Sequence, residues 1–511
     1  MSISDHTRRD RPWTIGRPRS VAVAGLALTL GLVTAGCSGD PAEDEGSTAK
    51  LADLSEPVTI AGESGDTPAE LSVAVSRALF DSSPAVVVAA SDDAKGMTSG
   101  ADDAASLGVP MLVVDDEPTT AQQEEIERLD AERVLAMSSQ VADDLQDLSD
   151  AEVVTSAKEI TATPAKGSPD LALLVRSDGS RAGSAAATAS AKAAGARVIR
   201  VTGPDLRSDP EAIAALAEHD PDRVLAVGSD FGPLESLTAR LDVARTGVEL
   251  PGGGQALFPG RLLVAMYGTP HTAGLGVLGE QGLEASITRA RGLAEDYEEL
   301  TDDTVVPTFE IIATVAQSEP GPDGDYSGEI GVEELRPWVE KAGEEGVYVV
   351  LDLQPGRANF LDQAKLYEDL LKMPHVGLAL DPEWRLKPTQ KPLGQIGSVE
   401  AEEVNSVITW LGELTREEKL PQKLLVLHQF RVSMLQDQDQ IDMDRDEVQV
   451  LVHMDGQGAP SLKDETWQAV KAAAAKDTPF GWKNFYDEDQ PMLSAEVTMT
   501  KKPTPVMVSY Q

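Results

Sequence analysis

Cysteine is almost missing from this chain: Cys37 is the single one in 511 residues. One thiol excludes any intramolecular disulfide and any thiolate-bound metal cluster, so packing alone has to hold the fold. Basic residues are the next shortage, with 43 Lys and Arg against 86 Asp and Glu and a formal net charge of −43. A chain of that sign repels polyanions, which excludes nucleic acid as a partner for the protein as a whole. Its plainer use is a well-solvated surface that resists aggregation. Aromatics are scarce at 4%. No apolar run reaches the roughly 20 residues needed to cross a bilayer. There is no G-x-S-x-G, no G-x-x-x-x-G-K-[ST] and no His-Glu-x-x-His. Serine-nucleophile chemistry and phosphate-loop chemistry are thereby set aside, and metal-assisted hydrolysis loses its commonest signature.

What is present is length enough for about three domains at roughly 150 residues each. Residues 1–36 read as a secretion signal: Arg8, Arg9, Arg11, Arg17 and Arg19 precede an apolar run from Val21 to Val33. The stretch VTAGC, Val33 to Cys37, resembles the lipobox of bacterial lipoproteins. That resemblance implies lipidation of Cys37 and a protein held on the outer face of the cell membrane. Residues 37–55 are rich in Gly, Ser, Pro and acid and read as a flexible tether.

Between Glu56 and Val248 the chain repeats itself. SDDAKGMTSGADDAASLGVPMLVV is followed by ERVLAMSS, and later SDGSRAGSAAATASAKAAGARVIRV is followed by DRVLAVGS, with Arg133 and Arg223 in corresponding places. Ala-rich helical stretches between short β-branched runs predict two small α/β units with parallel strands, over 56–150 and 151–248. The order IAGESGDTPAELSVAVSRALF, AVVVAA, LGVPMLVV and RVLAM resembles the cell wall-binding repeat 2 modules of Gram-positive surface proteins. The resemblance implies attachment to cell-wall polysaccharide; a spacer that binds no glycan is the alternative. Pro251 and Gly252 to Gly254 mark residues 249–260 as a linker.

From 261 to 511 the runs RLLVAMYG, TVVPTFEIIATV, VYVVLDLQ, VGLALDPEW, KLLVLHQF, EVQVLVHMDG, TPFGWKNF and TPVMVSYQ alternate with helical segments. Strands apolar on both faces and separated by helices predict a closed (β/α)8 barrel, whose reacting groups gather at the C-terminal mouth. Alternate residues of a barrel strand face inward. On that spacing Asp381 and Glu383 share an inward side, and Pro382 holds Asp381 in extended backbone. Asp352 and Gln354 end the third run, His428 the fifth, and His453 and Asp455 the sixth, while Glu310 lies within the second and Tyr267 and His271 close the first. Buried charges cost several kcal/mol unless paired, so polar strand ends recurring in four or five strands predict a shared pocket.

Carboxylates across a barrel mouth suit glycosidic bond cleavage, with Asp381, Glu383, Asp352, Glu310, His428 and Asp455 as candidate catalytic groups. Tyr267, His271, Gln354, Trp384 and His453 are the candidate substrate contacts. Two alternatives remain: a metal-assisted hydrolase using His428, His453 and Asp455 as ligands, and a non-catalytic wall-binding or scaffolding lipoprotein. No cofactor is required. DGDYSGEIGVEE places Asp323, Asp325 and Ser327 at positions 1, 3 and 5, Gly328 at 6 and Glu334 at 12, the spacing of a calcium loop. A structural calcium is therefore one expectation, and an acidic loop capping the next helix is the other.

Overall fold

A computed structural model describes residues 47–511 except 64, 147–149 and 165–169. The expected signal, residues 1–36, and the lipidation candidate Cys37 lie outside the described residues. From Ser47 onward the expected tether is already paired: Ser47–Thr48 lies parallel to Ala162–Thr163, and Lys50–Leu51 runs antiparallel to Phe80–Ser82.

Two four-stranded parallel sheets follow, as the alternating pattern predicts. The first has the spatial order Met111–Val114, Ala85–Ala90, Arg133–Ala136, Glu152–Val154; the second has Arg197–Val201, Leu171–Arg176, Arg223–Val227, Val58–Ala61. The repeat is visible in space, since Arg133 and Arg223 each open the third strand of their sheet. The fourth place is filled by exchange. Val58–Ala61, at the head of the first expected unit, joins the second sheet, and Glu152–Val154, just past that unit's end, completes the first.

The two sheets are also joined through a sheet edge. Met111 and Val113 sit on an outer strand whose N–H groups would otherwise be exposed. Met111 N donates to Ser190 Oγ at 3.0 Å and Val113 N to Ser72 Oγ at 2.9 Å, while Gln122 Nε2 donates to Val113 O. Ser190 belongs to the helix Arg181–Ala193, whose small Ala and Ser side chains let it bury faces against both units.

The C-terminal half is the closed eight-stranded parallel barrel. Its strands are β1 (Arg261–Gly268), β2 (Thr304–Ala316), β3 (Tyr348–Leu353), β4 (Val376–Leu380), β5 (Lys423–His428), β6 (Val448–Met454), β7 (Phe480–Asn484) and β8 (Met507–Tyr510). Each pairs with the next in parallel, and β1 pairs with both β2 and β8. The lower interior is apolar: Leu263, Ala265, Val306, Tyr348, Val350, Ala379, Leu424, Val426, Leu451 and Met507 pack together. Outward residues such as Phe309, Leu351, Leu378 and Leu427 form the layer beneath the helices.

Residues 249–260, expected as a linker, are folded against the base of the barrel. Leu250 and Leu257 belong to the interior cluster, and both are buried. Gly252, Gly253 and Gly254 all have positive φ (87°, 89° and 70°), a run of left-handed backbone that glycine adopts without a Cβ clash. The resulting coil turns the carbonyls of Pro251, Gly253, Ala256 and Leu257 onto the buried Arg261 guanidinium. Gln255 then bridges the halves, its N–H donating to Arg207 O and its carbonyl accepting from Gln422 N at 2.8 Å. Asp446 adds an ion pair across the same junction, 3.0 Å from Arg207 Nη2 and 2.6 Å from Arg240 Nη2.

Candidate functional site

The period-two alternation of the strands carries the polar residues inward above the apolar layers. Tyr267 comes from β1, Glu310 from β2, Asp352 and Gln354 from β3 and its end, and Asp381 from the residue after β4. His428 ends β5, and His453 lies on β6 with Asp455 just beyond. Glu310, Asp352, His428 and His453 are fully buried. Above them opens a cavity of about 540 Å³ lined by Tyr267, Gln354, Asp381, Glu383, Trp384 and Asp455 among others. β4 stops at Leu380 and Pro382–Trp384 makes a single 3-10 turn, so Glu383 reaches the cavity from that turn.

His428 is the hub. Its Nε2 lies 2.8 Å from Glu310 Oε1 and 3.8 Å from Asp352 Oδ1, and its Nδ1 lies 3.1 Å from Asp455 Oδ2. The last contact has ion-pair distance but departs from the line of a full hydrogen bond, and the Asp455 Oδ1 beside it is buried with no hydrogen-bond partner among the described residues. Burial alone would deprotonate the imidazole. The charges of Glu310 and Asp455 outweigh it and hold His428 protonated, well above the usual histidine range. His453 goes the other way: burial, then the charges of His428 and Lys483, keep it neutral. Its Nε2 shares a hydrogen bond with Ser509 Oγ at 2.7 Å, and the two imidazoles meet edge to face at 5.4 Å. Gly481 makes room for this, since a Cβ there would overlap His453 Nδ1.

The carboxyl groups are driven apart. Glu383 is pushed up to about 7, first by burial and next by the charge of Asp455. Asp352 is pushed up to about 6 by burial, with His428 opposing, and it accepts from Tyr267 Oη at 2.8 Å. Asp381 is raised well above the carboxylate range by burial and then by Glu383 and Asp352. For Asp455 burial also pushes upward, but the contact with His428 and the charge of Lys483 win and keep it ionised. Gln354 Nε2 donates to Tyr267 Oη at 3.3 Å, so the phenol is fixed between an amide and a carboxyl.

Not every expected residue arrives. His271 is exposed, with Nε2 3.4 Å from Glu334 Oε1, and it does not line the cavity. In the loop 323–334 the oxygens of Asp323, Asp325 and Glu329 come within 4.8 Å of one another, a set able to share one cation. Ser327 Oγ instead donates to Gln354 O at 2.8 Å, because Ser327–Glu329 forms an antiparallel ladder on the end of β2. Of the donors of the metal-assisted alternative, His428 Nε2 meets Glu310 and His453 Nε2 meets Ser509, while His428 Nδ1, His453 Nδ1 and Asp455 Oδ1 have no hydrogen-bond partner among the described residues.

Sequence reasoning missed Lys483, Ser509, Phe485 and Arg431. Lys483 and Phe485 follow Gly481 at steps of two and line the cavity. That alternation is present in FGWKNF but short and interrupted by a glycine. Arg431 comes from the loop after β5, where no periodicity applies.

No family model and no curated protein sequence matches the chain. Among solved structures, Cwp6 from Clostridium difficile aligns at 12% identity over 60% of this chain and 65% of that one, with a TM-score of 0.31. A Xanthomonas albilineans dihydropteroate synthase with 4-aminobenzoic acid aligns at 14% identity over 50% of this chain and 88% of that one, with a TM-score of 0.21. Likeness at this level carries no argument about function.

Proposed function

We propose that the barrel hydrolyses a glycosidic bond, with Glu383 as general acid and Asp455 as the ionised partner. The observation that carries this reading is that two carboxyl groups lining one cavity are pushed in opposite directions: burial raises Glu383 to about 7, and His428 lowers Asp455. Paired groups whose environments push their proton affinities apart are what acid–base cleavage of an acetal needs. Glu383 donates its proton to the leaving oxygen. Asp455 stabilises positive charge growing at the anomeric carbon or takes the proton of the attacking water. Asp381, held neutral, offers an O–H to a sugar oxygen. Trp384 and Phe485 supply apolar walls for a sugar face.

Around this centre the reading places the protein outside the cell, anchored through a lipid on Cys37, with the two α/β units contacting wall polysaccharide. Incubation with purified wall glycan and counting of new reducing ends tests the chemistry. Glu383→Gln and Asp455→Asn are each expected to lose at least about 100-fold in turnover. Unchanged turnover in both variants overturns the assignment. Pull-down on purified walls, with and without residues 56–245, tests the attachment.

A further inference from the structure

We propose that the barrel cavity selects a negatively charged sugar, bearing a carboxylate or a phosphate, through Lys483 at its wall and Arg431 at its rim. This rests on the glycan reading above and names the substrate class of the same site.

Lys483 is 3% exposed and lines the cavity. Its ammonium stands 3.4 Å from the centre of the Tyr267 ring and 5.3 Å from that of Phe485. Among the described residues no carboxylate, carbonyl or hydroxyl accepts a hydrogen bond from Nζ or lies within ion-pair distance of it. An ammonium has three donors, and aromatic faces satisfy charge but not those donors. The ammonium is open to the cavity, where a ligand can bring the acceptors that the surrounding side chains do not.

The contrast with Lys463 on the neighbouring helix is direct. Equally buried, it is tied to Asp489 Oδ2 and Lys483 O. Arg431 is the second cation at the cavity, exposed, lying against Phe430 at 5.9 Å and without an acid partner among the described residues. The acids facing the same space act on Lys483 through space and not at ion-pair distance: its charge lowers Glu383, Asp352 and Asp455. In a chain with twice as many acids as bases, two cations without an acid at ion-pair distance stand at one cavity. An anionic sugar pairs with these two cations, and a neutral sugar leaves them unused.

The test uses glucose, glucuronate and glucose 6-phosphate as probes, titrated into the protein and followed by NMR. At least one anion is expected to bind about tenfold more tightly than glucose; the tighter of the two identifies carboxylate or phosphate as the recognised group. Lys483→Gln is expected to bring the ratio below about twofold and Lys483→Arg to restore most of it. Arg431→Gln, at an exposed position where folding is not at issue, is expected to reduce the ratio severalfold. Equal binding of all three sugars, binding of none, or a preference that survives both Lys483→Gln and Arg431→Gln overturns the proposal. Glu383→Gln separates the two readings, because it is expected to stop cleavage and keep the anion preference. Preference without cleavage of any glycan refutes the hydrolase alone, and cleavage confined to neutral glycans refutes this inference alone.

Discussion

Replacing His428 by leucine tests the buried network most directly. The imidazolium sits between Glu310 and Asp455 at 2.8 and 3.1 Å, with side-chain exposures of 1%, 0% and 7% in that order. Leucine fills similar space and leaves two acids facing each other without a cation. Breaking a buried pair by removing one partner costs about 3–5 kcal/mol. For a barrel of this size each kcal/mol lowers Tm by about 2–4 °C, so His428→Leu is expected to lower the melting temperature by roughly 6–20 °C at pH 7. The pH dependence carries a sign. His428 has its folded pKa raised, so its contribution is fully present below the unfolded value near 6.5 and is lost only as pH rises through the raised folded value. Calorimetry at pH 5 and pH 8 is therefore expected to find the larger loss at pH 5. His271→Leu, at an exposed site, is expected to stay within about 0.5 kcal/mol of the parent. A loss below about 1 kcal/mol for His428→Leu, or one equal at both pH values, would refute the hub.

Three further outcomes follow from the same geometry. If Glu383 is the acid, kcat/KM on a wall glycan falls as pH rises past about 7, since the protonated form is the active one, and a pH–rate profile flat from 5 to 9 counts against it. Lys423, fully buried with Nζ on the carbonyls of Met373 and Val376, has its pKa lowered to about 7. The unfolded chain then binds the extra proton between about 7 and 10.4. The stability of the parent relative to Lys423→Met therefore rises over that window by roughly 4 kcal/mol, measurable by urea titration at several pH values. Asp446→Asn removes the charge that Arg207 and Arg240 share across the junction. Because Asp446 is about a quarter exposed, the expected cost is about 2 kcal/mol, read as faster proteolysis at residues 246–260 while the barrel remains intact.

The order of strands and helices was legible along the chain, because a parallel strand buried on both faces must be apolar throughout and a helix between two such strands must carry a stripe. The same period of two placed Tyr267, Glu310, Asp352, Asp381, His428, His453 and Asp455 on inward positions, and the barrel brings them together. Periodicity ends where the strand does. His271, four residues past Tyr267, turns out to face Glu334 in solvent, and Arg431 reaches the mouth from a loop with no repeating pattern. Residues 249–260 read as a linker because Pro and Gly break both periodicities, yet those residues allow the coil that seals the barrel on Arg261.

By itself the sequence determined the layers, the repeat and which strand positions point into the barrel, all of which follow from alternation and composition. Only the tertiary structure decided that Val58–Ala61 completes the second sheet, and that His428 lies between Glu310 and Asp455, 118 residues from one and 27 from the other. It alone also decided that burial raises the Glu383 carboxyl while His428 lowers that of Asp455, and that the Lys483 ammonium has no acceptor among the described residues. Those properties depend on burial and on distances between groups far apart in the chain, and local pattern fixes neither.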